Sequence, residues 1–272
     1  MSSFTRVESS DPRHSRDGLQ FVTVKSQALG RRADLTLFAP AGAEALRELP
    51  LVLMLHGVYG SHWSWAFQGG AHRTLERLIT VGGVPPMVLC MPSDGLWGDG
   101  SGYVRHDGQD FEQWIVTEVP AAARLACPAV GQHSPLFIAG LSMGGFAALR
   151  LAGRYPRRFR AASGHSSITE LAQLAPLIAE PIDDWQVSPA ERSVLASLTQ
   201  AAGPLPPLRF DCGVDDPYLE ANRELHGALD AAGITHTYEE FAGGHTWDYW
   251  QRQLERSLRF FSAQLAGAVP PG

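Results

Sequence analysis

The sequence predicts an α/β protein with a mostly parallel central sheet, an N-terminal antiparallel hairpin and helices on both faces. Three observations carry this. Beyond the opening hairpin, short apolar runs alternate with helix-like segments, the signature of a mostly parallel sheet. Two of those runs, Leu51-Val52-Leu53-Met54-Leu55 and Met87-Val88-Leu89-Cys90-Met91, are apolar without interruption, as strands buried on both faces must be. A third, Pro135-Leu136-Phe137-Ile138-Ala139, leads through a glycine-rich turn into an Ala/Leu-rich helical stretch. At 272 residues the chain suits one large domain better than two small ones.

The elements follow in order. Residues 1–19 are polar, rich in Ser, Arg and Asp, and read as a loose tail. Residues 21–24 and 33–38 form the opening hairpin, with Gly30 in the turn between them. After a linker at 40–50 come the strand at 51–55, a helix over 72–80 and the strand at 87–91. The exit loop at 92–108 is long and rich in Gly, Asp and aromatics. Residues 110–126 read as an amphipathic helix kinked near Pro120, which cannot donate a helical hydrogen bond. A short strand is expected at 159–164. Residues 165–206 are Ala/Leu/Pro-rich and read as small helices, a cap-like insertion above the sheet within a single domain spanning 20–267. A strand at 208–212, a helix at 218–232 closed by Gly233, a strand at 235–241 and a helix at 246–265 complete the chain.

Composition narrows the function classes. Hydrophobic residues make up 44% and charged residues 18%, ordinary values for a globular protein. A net charge of −6 gives no reason to expect nucleic acid or an anionic membrane as partner. The three cysteines, Cys90, Cys127 and Cys212, lack the spacing of a disulfide framework or a zinc site. No secretory leader is evident and no apolar stretch approaches the roughly 18 residues of a membrane helix. A soluble, cytoplasmic protein is expected, with monomer and homo-oligomer both open.

The chemistry centres on Gly140-Leu141-Ser142-Met143-Gly144, a G-x-S-x-G pattern between strand and helix. Such a turn lifts the serine to its tip above the N-terminus of the next helix, whose free N–H groups favour an anionic intermediate. A serine hydroxyl needs a base, and the base an orienting acid. In this architecture the partners follow in the order Ser, acid, His, each on a loop after a later strand. Gly213-Val214-Asp215-Asp216-Pro217 and Gly243-Gly244-His245 fit that order. A lone histidine at a loop–helix junction is ordinarily a surface or capping residue. His245, behind two glycines after the last strand, reads as the base. Asp215 and Asp216 both qualify as the acid, one facing the imidazole and the other capping the following helix; Asp94 is a third candidate. The N–H groups of Met143 and of Val58, just past His56-Gly57, are the expected oxyanion donors.

Four aromatics at this end of the sheet, Trp63, Trp65, Trp97 and Tyr103, are candidates to line a substrate pocket or simply to pack their loops. Trp247 and Trp250 read as core residues of the final helix. The remaining histidines stand singly, with His56 shaping its loop, and none shows metal-ligand spacing.

On these residues the chain resembles the esterase D-like branch of the α/β-hydrolases. That branch includes tributyrin, feruloyl and acetylxylan esterases, S-formylglutathione hydrolases and mycobacterial mycolyltransferases. The matching pieces are Ser26-Gln27-Ala28-Leu29-Gly30, Leu53-Met54-Leu55-His56-Gly57, Gly140-Leu141-Ser142-Met143-Gly144-Gly145, Cys212-Gly213-Val214-Asp215-Asp216 and Gly243-Gly244-His245-Thr246-Trp247. The resemblance implies the α/β-hydrolase fold and a triad of Ser142, His245 and Asp216, the acid falling three residues after the glycine of Cys212-Gly213. It also implies hydrolysis of small carboxylic esters (short-chain acyl, acylated-sugar or feruloyl-type) through an acyl-enzyme, with no cofactor and no metal. His56-Gly57-Val58-Tyr59-Gly60-Ser61 resembles the loop of tributyrin and feruloyl esterases and departs from the Leu-Thr-Cys loop of S-formylglutathione hydrolases. A thioesterase or acyltransferase with the same triad is the alternative, and a catalytically silent binding protein on the same fold is a third reading.

Overall fold

The computed structural model describes residues 4–96 and 98–266. Nine strands form one sheet: β1 (Phe4–Ser9), β2 (Leu19–Ser26), β3 (Arg32–Phe38), β4 (Leu51–Leu55), β5 (Val88–Pro92), β8 (Leu136–Leu141), β9 (Ala161–His165), β10 (Leu208–Gly213) and β11 (Thr237–Phe241). Their order is β1-β2-β3-β5-β4-β8-β9-β10-β11. The first three strands and the β3–β5 pair are antiparallel, and the rest are parallel. The two-residue strands β6 (Arg105–His106) and β7 (Gln109–Asp110) make a separate small hairpin. The helices are α1 (Ser64–Phe67), α2 (Ala71–Thr80), α3 (Phe111–Gln113), α4 (Val119–Ala126), α5 (Met143–Arg154), α6 (Val194–Thr199), α7 (Leu219–Ala231) and α8 (Trp247–Ala266). This is the α/β-hydrolase architecture.

The apolar runs that carried the sequence reading serve two cores at once. In β4, Leu51, Leu53 and Leu55 face one layer and Val52 and Met54 the other. In β8, Leu136 and Ile138 face the first layer and Phe137, Ala139 and Leu141 the second. The period of two in the strand sends alternate side chains to opposite faces, so a strand covered on both sides must be apolar throughout. One core receives Leu75 and Leu78 of α2 with Leu254, Leu258 and Phe261 of α8; the other receives Phe146 and Leu149 of α5 with Leu225 and Leu229 of α7. Among the described residues, no helix is long and apolar enough to cross a membrane.

Two details differ from the sequence reading. The N-terminal segment is not loose throughout: β1 pairs along β2, with Val7 opposite Val24 and packed against the core. Its polar composition suits an edge strand with one solvated face. The expected kink at Pro120 takes the form of a π-helical segment, Trp114–Glu118, between α3 and α4. Pro120 has no N–H to offer the carbonyl of Val116, and the Arg158 guanidinium donates to that oxygen instead, at 2.9 Å. Residues between β9 and β10 carry three 3₁₀ turns (Leu171–Leu177, Ile182–Asp184 and Pro189–Arg192) and α6.

Buried charge fixes the α3–α5 contact. Arg150 of α5, fully buried, pairs with Glu112 of α3 at 2.6 Å, and the Tyr155 hydroxyl donates to the same carboxylate at 2.6 Å. Burial acts to raise the Glu112 carboxyl, but Arg150, Tyr155 and Arg154 outweigh it and hold the group below its ordinary value. His106 is different. Its ring stacks on Trp185 at 4.2 Å, and Nε2 faces the carbonyl of Ser101 at 2.9 Å. Burial pushes its pKa down to about 4, against the weaker upward pull of Ser101. Between the ordinary 6.5 and about 4 the unfolded chain therefore takes up a proton that the fold refuses, and stability falls as pH falls through that window. The variant His106→Gln should be less stable than the parent at pH 7, through lost packing. The gap between their urea midpoints should narrow steadily towards pH 4.

Candidate active site

Ser142 caps α5 at the end of β8 with φ 53° and ψ −118°, a conformation that a non-glycine residue holds only where its surroundings impose it. The surroundings are backbone. A Cβ on Gly140 would overlap the carbonyl of Gly144, and one on Gly144 would overlap the carbonyls of Leu55 and His56. Only glycine lets β8, β4 and α5 close this tightly. The Ser142 N–H donates to the carbonyl of His165 at 2.9 Å, and its carbonyl accepts from Phe146 at 3.0 Å, closing the first turn of α5. Met143, at the first helical position, has its N–H outside the helical ladder.

The loops after β10 and β11 meet backbone to backbone. A Cβ on Gly213 would overlap the carbonyl of Gly243; Val214 N–H donates to Phe241 and Asp215 N–H to Gly243, both at 2.9 Å. This contact brings His245 Nδ1 to 3.0 Å from Asp216 Oδ2. The carboxylate accepts, so Nδ1 carries the proton and Nε2 keeps its lone pair. Asp216 is buried, and its other oxygen accepts from the N–H of Tyr218 at 2.9 Å. The capping task that the sequence reading gave to one of the two aspartates falls to neither side chain, since α7 has no side-chain cap hydrogen bond at Tyr218. Asp215 is exposed. Asp94 is spent on its own loop, accepting from the N–H groups of Leu96 and Ser101. The His245 ring is held edge-on by Trp250 at 4.9 Å and Tyr218 at 5.3 Å.

The loop after β4 is set by His56, which is fully enclosed. Its Nε2 accepts from the N–H of Asp94 at 3.0 Å, so Nδ1 donates to the carbonyl of Gly57, 2.7 Å away. Tyr103 bonds both the N–H and the carbonyl of His56 through its hydroxyl. Held this way, Gly57 lies so close that an added Cβ would come 3.2 Å from Ser142 Cβ. Among the described residues no acceptor pairs with the N–H of Val58.

Ser142, His245 and Val58 share one cleft of about 400 Å³, whose walls include Tyr59, Gln68, Leu177, Tyr218, Trp247 and Trp250. The aromatics are therefore not the ones expected. Trp65 is buried and donates its indole N–H to the carbonyl of Leu55 at 3.0 Å, and Tyr103 is spent on His56. Trp63 is partly exposed outside the cleft lining, and Trp97 lies outside the described residues. Trp247 and Trp250, read as core, line the cleft with one face while packing the core with the other, because the first turn of α8 starts directly after His245.

Beneath the site lies a buried polar network that residue types did not announce. His165 Nδ1 lies 2.8 Å from Asp211 Oδ2, and its Nε2 lies 2.9 Å from Ser257 Oγ. Asp211 also accepts from Arg209 and, at 2.7 Å, from the Tyr249 hydroxyl. Burial acts to raise the Asp211 carboxyl, but His165, Arg209 and Tyr249 together hold it below its ordinary value. The network touches the site twice. The His165 carbonyl takes the Ser142 N–H, and Ser166 Oγ takes the indole N–H of Trp250, which braces His245.

A family profile described as "Putative esterase" matches residues 26–261. The chain belongs to this esterase family. It is 26% identical to an acetyl esterase of Caldicellulosiruptor saccharolyticus over 79% of this chain and 84% of that protein. It is 27% identical to an iron(III) enterobactin esterase of Dickeya dadantii over 87% of this chain, spanning only 53% of that longer protein. Among solved structures, a ferulic acid esterase superimposes with a TM-score of 0.77 at 25% identity, covering 95% of this chain and 98% of that one. An S-formylglutathione hydrolase from Staphylococcus aureus superimposes at 0.76 over 95% of this chain and 100% of that one, at 18% identity, and shares the fold. The protein is a serine carboxylic ester hydrolase. Replacing Asp211 with Asn leaves Arg209 and His165 buried without their shared anion, and breaking such a pair costs about 3–5 kcal/mol. Urea unfolding should therefore register a loss of that order for Asp211→Asn, with the lower end expected because Glu239 still pairs with Arg209.

Proposed function

We propose that Ser142, His245 and Asp216 are the catalytic triad of this esterase and that the N–H groups of Val58 and Met143 hold its oxyanion. The observation that carries the reading is the 3.0 Å contact between Asp216 and His245 Nδ1 on a histidine that shares a cleft with the strained Ser142. Ser142 Oγ attacks the ester carbonyl carbon while His245 Nε2 takes its proton. The carbonyl electron pair moves to oxygen, where the two N–H groups receive it. Collapse expels the alcohol oxygen, which His245 protonates, and leaves an acyl-Ser142 ester. Water then attacks with His245 again as base, the acid departs, and the serine is restored. Asp216 keeps the imidazole in the tautomer that makes each transfer possible.

The substrates proposed are esters with a short acyl group or a single aromatic ring. A cleft of about 400 Å³ is at the small end for ligand sites, and Tyr59, Leu177 and Trp247 give it apolar walls. The similarity to an acetyl esterase and a ferulic acid esterase points the same way. The segment between β9 and β10 acts in this reading as a cap: Leu177 reaches the cleft rim, and its carbonyl accepts from the Tyr59 hydroxyl at 2.6 Å.

A rate panel of acetyl, butyryl, octanoyl and feruloyl esters, with a formyl thioester beside them, tests the proposal. Turnover should be fastest on acetyl, butyryl or feruloyl esters and should vanish in Ser142→Ala at unchanged Tm. Asp216→Asn should lower kcat by about 10³–10⁴, since the imidazole loses its orienting partner. Full activity in Ser142→Ala would remove the triad; turnover confined to the thioester would move the substrate class.

A further inference from the structure

His226 and His236 stand singly in the sequence, yet the fold brings His226 Nδ1 to 2.7 Å from His236 Nε2. Asp230, one turn along α7 from His226, completes a cluster whose ligand atoms all lie within 4.8 Å of one another. We propose that His226, Asp230 and His236 form a zinc-binding site that clamps the C-terminal half of α7 to the start of β11.

His236 is the prepared ligand. Its side chain is 1% exposed, and its ring stacks on Phe210 with a 17° interplanar angle. The Nδ1 atom faces the carbonyl of Ile234 at 2.7 Å, which fixes the proton there and leaves a lone pair on Nε2. A backbone carbonyl holding the far nitrogen is the usual device that orients a metal-ligating imidazole. His226 stacks on Tyr238 at 4.9 Å, and its Nε2 lies 3.6 Å from Asp230 Oδ2. Asp230 Oδ1 is 4.0 Å from His236 Nε2. Tetrahedral zinc, with bonds to nitrogen of about 2.0–2.1 Å, needs its ligand atoms about 3.3 Å apart. The imidazoles must therefore part by about 0.6 Å and the carboxylate close by a similar amount. His226 and Asp230 can supply both movements, because each is substantially exposed at the surface of α7. Arg223, one turn before His226 on α7, is already neutralised by Glu220 and Glu240 at 2.7 and 2.8 Å.

Two imidazoles and one carboxylate suit zinc, with the fourth position left to solvent. Without metal the two rings share a proton, His226 Nδ1–H donating to His236 Nε2. An ion between them takes the place of that proton, which moves to His226 Nε2, so zinc uptake by the neutral pair through His226 Nδ1 changes the tautomer and releases no net proton. The site lies at the N-terminal end of β11, whereas His245 follows its C-terminal end. The ion would therefore act on the fold and not on the reaction.

The test is calorimetric titration of the full, tag-free chain with zinc in two buffers of different ionisation enthalpy, alongside thermal unfolding. At pH 8, with both imidazoles neutral, one ion per chain, a binding enthalpy equal in the two buffers and a higher Tm with zinc are expected. His226→Gln and Asp230→Asn, both on the exposed side of α7, should each weaken binding at least about tenfold. The double variant should lose the Tm response while keeping parental ester turnover. His245→Ala should bind zinc as the parent does, which separates this site from the catalytic cleft. Absence of one-to-one binding, binding that survives the double variant, or binding lost with His245 would each overturn the proposal.

Discussion

The site depends on one backbone turn. Ser142 holds a positive φ because three chain segments converge on it: the end of β8, the first turn of α5, and the carbonyls of Leu55 and His56 at the end of β4. Strain of this kind costs on the order of 1–3 kcal/mol and persists only where packing over-determines it. Here the packing is two full core layers meeting on β4 and β8, with the Ser142 N–H tied to His165 in the next strand. The hydroxyl is thus presented at the end of a rigid element and not on a mobile loop.

The other site groups are held by the same method, backbone against backbone. Gly213 and Gly243 let the loops after β10 and β11 touch, which sets the Asp216–His245 hydrogen bond. His56 and Tyr103 fix the loop after β4, and among the described residues the Val58 N–H has no acceptor. Below these, the network of His165, Asp211, Arg209, Tyr249 and Ser257 links β9, β10 and α8. A buried network of this kind rigidifies when every member is bonded and is costly when one is missing. Its contacts with Ser142 and, through Ser166, with Trp250 join Ser142 and His245 to one scaffold.

Zinc at the His226 cluster would add a clamp at the opposite end of β11. That strand is the exposed edge of the parallel sheet and shows only half-burial along its length. An edge strand backed by a single neighbour is a place where a metal bridge to a helix has most to stabilise.

Much was legible in the chain because it is written in local pattern. Doubly apolar runs marked β4 and β5, glycines at fixed offsets marked the Ser142 turn, and strand order placed Asp216 and His245 on neighbouring loops. These features constrain backbone conformation directly, so residue type alone reports them. Other features depend on which side chains meet across distant segments. The diversion of Trp65 and Tyr103 to backbone partners, the use of Trp247 and Trp250 as cleft walls, and the pairing of His226 with His236 were all of this kind. So was β1, whose polar sequence gains order only from β2 beside it. The sequence by itself determined the fold class, the turn and the order of the loops that carry Ser142, Asp216 and His245, since local sterics and periodicity encode them. Tertiary structure alone decided which aromatics and which histidines come together, because a contact between remote residues has no local signature.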